Sequence, residues 1–142
     1  MTIREQEDLL IEEFNGLEDW FSQYEYLLEL AAELPPADHA KRTDSHRIPG
    51  CQSGVWLWLE RTPQDLICVQ IDSDSLILKG ILCLFVILFD HRPAVEIAEH
   101  HSMLIQQTAL KEQLSTDRFR GIQSVIHIIQ SYAGGNAWPT SR

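Results

Sequence analysis

No two cysteines stand in a Cys-x-x-Cys pair; the three present are Cys51, Cys68 and Cys83. That spacing speaks against zinc ribbons and thioredoxin-type dithiols, and an odd number speaks against a closed disulfide framework. Three free thiols in a reducing compartment fit best. Glycine-rich phosphate motifs are absent too: neither G-x-x-x-x-G-K nor G-x-G-x-x-G occurs. The longest apolar run, Ile81 to Phe89, has nine residues, where a membrane-spanning helix needs roughly 20. The acid-rich stretch Met1 to Glu13 has no basic region followed by an apolar one, so a secretory signal is not expected and a cytosolic protein is. Basic residues are scarce, 11 against 21 acidic ones, for a net charge of −10. Nucleic-acid phosphates would be repelled, since Lys41, Arg42 and Arg47 form the only loose basic group. The acidity suits either a soluble surface or a basic partner protein.

What is present fits one domain over residues 1–142, with 136–142 as a frayed tail. Hydrophobic residues make up 44% of the 142-residue chain, enough for a packed core. Leu9, Leu10, Phe14 and Leu17 recur at helical spacing, and a second helical face runs from Leu17 to Glu33. Gly16 marks the joint, and Pro35-Pro36 stops the second helix. Residues 36–54 read as a loop with a short helical turn near Asp38–Lys41. Val55–Arg61 and Leu66–Ile71 read as a hairpin joined through Thr62-Pro63-Gln64-Asp65. A third strand is placed near Arg47–Gly50. Ser75–Phe89 is apolar nearly all round, which predicts a buried helix; Gly80 within it predicts a close approach. Pro93 opens a short helix to about His100, and Ser102–Thr108 reads as a further helical segment. Thr116–Tyr132 reads as the last helix, closed by Gly134-Gly135. The fold class is α+β: a small antiparallel sheet of about three strands covered by helices.

Among residues able to do chemistry, Cys51 stands apart. It lies at a loop-to-strand junction in Ile48-Pro49-Gly50-Cys51-Gln52-Ser53-Gly54, and the flanking glycines free the backbone. Loops give a carrier thiol access, although a small buried residue in a turn fits the same facts. Cys68, in an apolar strand, and Cys83, inside the buried helix, read as structural. His46 stands five residues before Cys51 and is a candidate base for it, but a solvated loop histidine explains it as well. His100 and His101 are adjacent, so on a helix they diverge and chelate poorly; no metal site is expected. Asp72 and Asp74 suggest either a carboxylate pair or oxygens capping the next helix, and capping is favoured. Trp56 and Trp58 share a strand face and read as core or interface.

Taken in order, several blocks resemble the SufE-like sulfur-acceptor family of the SufE or CsdE type. These are Leu34-Pro35 after an aromatic-rich helix, Gly50-Cys51-Gln52-Ser53-Gly54-Val55-Trp56-Leu57, Asp72-Ser73-Asp74 with Lys79-Gly80, and Leu114-Ser115-Thr116-Asp117-Arg118 with Gly121. The similarity runs from about Phe14 to Ala133. His46 departs from the asparagine more usual there, and Leu82-Cys83-Leu84 is bulkier than the family's usual segment. The resemblance implies a SufE/NifU-like α+β fold and Cys51 as a persulfide acceptor. It implies a pyridoxal-phosphate cysteine desulfurase of the SufS or CsdA type as partner and an iron–sulfur scaffold or other protein as recipient. It implies no cofactor of the chain's own, leaves room for a homodimer, and suggests that Gln52, Asp74 and Arg118 lie near the acceptor or docking surface. Two other readings are a cysteine hydrolase built on Cys51 and a histidine, and an interaction module in which Cys51 is inert.

Overall fold

The computed structural model describes residues 1–34 and 39–136. Helix α1, Ile3–Asn15, opens on a capping box in which the Thr2 side chain accepts from Glu5 N–H and the Glu5 carboxylate accepts from Thr2 N–H. Ile3, Glu7, Leu10, Ile11 and Phe14 form its buried face, spaced as a helix requires. Glu7 is the polar exception. It accepts hydrogen bonds from Arg4 (2.8 Å), Ser102 Oγ (2.5 Å) and Met103 N–H (3.1 Å), and His100 Nε2 lies 3.2 Å away. His100 thus helps fasten a distant segment to α1.

Helix α2, Trp20–Glu33, begins later than Leu17 because Asp19 accepts from Ser22 N–H at 2.7 Å and fixes the cap there. The expected proline stop, Pro35-Pro36, lies outside the described residues, as does 137–142 of the expected tail. Single 3₁₀ turns at His39–Lys41 and Asp44–His46 lead into the sheet. Strands β1 (Val55–Arg61) and β2 (Leu66–Ser73) form the expected hairpin, in register from Val55 opposite Ser73 to Arg61 opposite Ile67. Asp65 closes its turn with a left-handed φ of 64°.

The third strand is not where the pattern placed it. It is β3, Arg92–Pro93, which pairs antiparallel with Ile67 and Leu66 and makes the order β1-β2-β3. Arg47 makes only a single bridge to Trp56.

Helix α3, Leu76–Phe89, lies beneath the sheet and packs on α2 and β2. Phe85, Leu88 and Phe89 are fully enclosed, each worth about 1.5–3 kcal/mol of burial. A side chain at Gly80 would collide with the Leu27 carbonyl, so glycine there permits α2 and α3 to touch backbone to backbone. Helices α4 (Ala94–Glu99), α5 (Leu110–Gln113) and α6 (Thr116–Ala133) complete the chain. In place of the helical segment expected over 102–108, residues 104–107 form a turn, and Ser102 just before it donates to Glu7. Among the described residues, no helix is long and apolar enough to cross a membrane.

Cross-strand partners share a face, so Trp56, Trp58, Glu60, Cys68, Gln70 and Asp72 line the outer side of the hairpin. One end of that face is roofed. Arg42 stacks over Trp56 at 4.7 Å, His46 stacks on Trp58 at 5.9 Å, and Trp58 Nε1–H donates to the Lys41 carbonyl. The hairpin-turn end, with Glu60 and Gln70 exposed, is open.

Candidate functional site

Cys51 sits in a loop held at both ends and loose between. Buried Ile48 donates its N–H to the Val55 carbonyl at 2.8 Å. At the other end the Gly54 carbonyl accepts from Asp74 N–H (3.0 Å) and Ser73 Oγ (2.8 Å). Gly54 is required by this fit, since a side chain would strike the Trp56 ring and Asp74. Between these pins, residues 49–53 lie in no helix or strand. Gly50 turns the chain with φ 84°, a region that favours glycine.

The thiol is half-buried and points at α6. A Cβ added to Gly121 would sit 2.6 Å from Cys51 Sγ, so the missing side chain of Gly121 is the seat of the sulfur. Gly121 belonged to the sequence motif, but its role was not read from it. A glycine inside a helix costs stability, and that cost is the signal that something packs closely there. The thiol faces a cavity of about 80 Å³. Gln52 and Ser53 wall it from the loop, Leu78 from α3, and Ser115, Asp117 and Arg118 from the start of α6. Ser115 also caps α6 by accepting from Arg118 N–H at 3.2 Å, which sets Arg118 one turn before Gly121. Burial pushes the Cys51 thiol above its ordinary pKa, with the Arg47 charge opposing.

Of the residues singled out from the sequence, Cys51, Gln52 and Arg118 come together around this cavity. Asp74 does not line it; it lies beside Gly54, more than half exposed, with Arg42 3.3 Å away. Among the described residues, no histidine lines the cavity. The His46 ring is engaged by Trp58 and lies 3.1 Å from Thr43 Oγ1.

Capping does not explain Asp72 and Asp74. The cap of α3 is Ser75, whose hydroxyl accepts from Leu78 N–H. Asp72 is instead a buried ionic hub. Arg42 reaches it at 2.6 Å and Lys79 at 3.3 Å, and Lys79 also donates to the Leu34 carbonyl at 3.2 Å. Neither Asp72 nor Lys79 has more than a few per cent of its side chain exposed. The hub ties the segment before the Cys51 loop to the end of β2 and to α3.

Cys83 is buried in the core as expected. Cys68 is not: it is half-buried on the outer sheet face, since the inward positions of β2 are Ile67, Val69 and Ile71. Among the described residues, no three His, Cys, Asp or Glu side chains are grouped to hold a metal ion.

Residues 8–133 match the SufE family, described as an Fe-S metabolism associated domain. An uncharacterised SufE-like protein of Rhizobium meliloti is 31% identical over 132 residues, covering 90% of this chain and 94% of the relative. A second, from Rhizobium etli, is 32% identical over 130 residues, covering 89% and 88%. The solution structure of a hypothetical protein from Thermus thermophilus superposes with a TM-score of 0.74 at 17% identity, over 92% of this chain and 94% of that one, and so shares the fold. With the family's match spanning residues 8–133 and both relatives aligning over about nine-tenths of this chain, this chain belongs to the SufE family, whose general role is as a sulfur acceptor.

Proposed function

We propose that Cys51 accepts sulfur from the active-site persulfide of a pyridoxal-phosphate cysteine desulfurase, stimulates that enzyme by doing so, and passes the sulfur to iron–sulfur cluster assembly. The observation that supports this reading is the seat of Cys51: a thiol on a loop pinned at Ile48 and Gly54, outside any helix or strand between them, and resting on Gly121. A carrier must shield its cargo in transit and present it on arrival, and a loop of this kind can do both.

In the transfer, the Cys51 thiol first loses its proton to solvent or to the partner. Cys51 Sγ then attacks the outer sulfur of the donor's persulfide. A new S–S bond forms on Cys51, the donor's S–S bond breaks, and the donor cysteine leaves as a thiolate. The reaction is an exchange with no net oxidation. Burial disfavours the thiolate in the free protein, so the loop is expected to swing outward on docking and ionise there. Arg118, on the cavity wall, is suited to balancing the charge of the persulfide. Gln52 is placed to contact the donor, and Asp74, exposed at the neighbouring pin, to contact the rim of the partner.

A cysteine hydrolase would need a histidine against the thiol, and among the described residues the cavity offers none. Mass spectrometry after incubation with a cysteine desulfurase and cysteine tests the proposal. Cys51 is expected to gain one or more sulfur atoms, and Cys51→Ser to gain none while remaining folded. Undiminished desulfurase stimulation by the serine variant would overturn the assignment.

A further inference from the structure

A second thiol, far along the hairpin from Cys51, has neighbours of its own. Cys68 projects from the open end of the outer sheet face, opposite Glu60 in the register. Beside it, α3 gives way to β3 through Asp90 and His91. His91 takes a left-handed φ of 60°, rare for a residue other than glycine. Two hydrogen bonds stitch this turn to β2 on either side of Cys68: His91 N–H donates to the Ile67 carbonyl at 2.7 Å, and Val69 N–H donates to Asp90 Oδ1 at 2.8 Å. Held in this way, His91 Nε2 lies 3.8 Å from Cys68 Sγ, within reach of a hydrogen bond to sulfur. Its other nitrogen, Nδ1, lies 3.0 Å from Asp90 Oδ2. The network assigns the ring proton to Nδ1, donated to Asp90, and leaves Nε2 to accept from the thiol. The order is nucleophile, base, orienting carboxylate. His91 is 65% exposed, so a solute can reach the group.

We propose that Cys68, His91 and Asp90 form a second thiol site, which exchanges with small disulfides bearing cationic amines and carries the resulting mixed disulfide independently of Cys51. The electrophile follows from the surroundings. The backbone donors of the flanking Val69 and of His91 are committed to Asp90 and Ile67. Neither is therefore available to stabilise the oxyanion of a carbonyl substrate, whereas disulfide exchange needs only an in-line thiol leaving group. The charge preference follows from Glu60 and Asp90, which repel anions and attract amines. Burial, then Asp90 and Glu60, also hold the thiol above its ordinary pKa, so a base is needed. His91 Nε2 takes the proton as Cys68 Sγ attacks one sulfur of the disulfide. The Sγ–S bond forms, the small molecule's S–S bond breaks, and its departing sulfur receives the proton back. Cys68 is oxidised to a disulfide, and one half of the reagent is reduced to a thiol.

The test uses the intact chain, with cystamine as the cationic probe and glutathione disulfide as the anionic one, and peptide mass spectrometry to time each cysteine. Cys68 is expected to react with cystamine before Cys51 and Cys83. It should favour cystamine over glutathione disulfide by several-fold, with the gap narrowing as salt is added. His91→Asn should slow Cys68 by about tenfold, below the usual span for a general base because the contact is long, and leave the Cys51 rate unchanged. Asparagine tolerates the left-handed turn, and circular dichroism will show whether the fold is kept. As a second variant, Asp90→Asn keeps an acceptor for Val69 N–H and should slow Cys68 less than His91→Asn does. An unchanged Cys68 rate in His91→Asn, Cys51 reacting first, or equal rates with the two probes would overturn the proposal.

Discussion

The outer face of the hairpin has a roofed end and an open end, and they treat charge in opposite ways. At the roofed end, Asp72 is buried under Arg42 and joined from below by Lys79. At the open end, Glu60 is exposed beside half-buried Cys68, and the nearest base is the histidine of a surface turn. The same two strands, a few residues apart, thus carry a fixed ionic clamp and an accessible thiol. Buried charges demand fixed partners, while exposed ones tolerate exchange. The clamp stands next to the Cys51 loop, where position matters most.

Breaking the clamp should have the largest effect. Asp72→Ala leaves Lys79 and Arg42 near the interior without their shared carboxylate and is expected to cost about 3–5 kcal/mol, read by urea unfolding. The alkylation rate of Cys68, at the other end, should stay the same in the folded variant. A loss below about 1 kcal/mol would show that the hub is no more than a surface pair.

Alkaline pH probes the third thiol, beneath both ends. Burial, and then the Glu33 charge, push Cys83 up to about 11 from an ordinary 9.0, with Lys79 opposing. Burial likewise pushes Tyr26 up to about 12. Both pKa values are raised by folding, so the folded state binds protons more tightly than the unfolded one. For Cys83 the stability this represents is whole below about pH 9 and is lost as pH rises through 11, on the order of 3 kcal/mol; for Tyr26 it is lost as pH rises from 10 through about 12. Denaturant midpoints measured from pH 8 to 11 should fall accordingly, and Cys83→Ala should flatten that fall.

Much of this architecture was legible beforehand because it is periodic. The buried faces of α1 and α3 and the alternation of β1 are written in spacings of a few residues. Cys51 was legible for a different reason, its glycines and its motif. The clamp was not, because Arg42, Asp72 and Lys79 come from three separate segments and nothing in their spacing unites them. β3 escaped notice because two residues carry no period. Cys68 was misplaced because its neighbours in sequence, Ile67 and Val69, are apolar and buried; in a strand, such neighbours face the other way.

The seat of Cys51 allows a finer comparison of the two thiols. Gly121→Ala puts a methyl 2.6 Å from Cys51 Sγ, and the thiol must move away. The helix gains propensity from alanine while the contact is overpacked, so the net stability change should stay within about 1 kcal/mol. Alkylation of Cys51 should become several-fold faster and that of Cys68 should not change. In the unaltered chain, an inactive desulfurase should speed Cys51 in the same direction by drawing the loop outward. Equal rates in all three samples would mean that the thiol is open from the start.

The smallest effect is expected from Cys68→Ala. The side chain is half-buried, its sulfur meets His91 at the limit of a hydrogen bond, and its strand neighbours Ile67 and Val69 hold the sheet from the opposite face. Removing one sulfur there leaves no enclosed cavity, so the large penalty of a core deletion does not arise. The stability change should be about 0.5 kcal/mol or less, measured by urea unfolding, and sulfur loading of Cys51 by a desulfurase should be intact. The same deletion at buried Cys83 should cost of order 1 kcal/mol, because there the space is closed. If Cys68→Ala proved as costly as Cys83→Ala, the outer face would be packed more tightly than its exposure indicates. If it lowered sulfur loading in a folded chain, the two ends of the hairpin would be one site and not two.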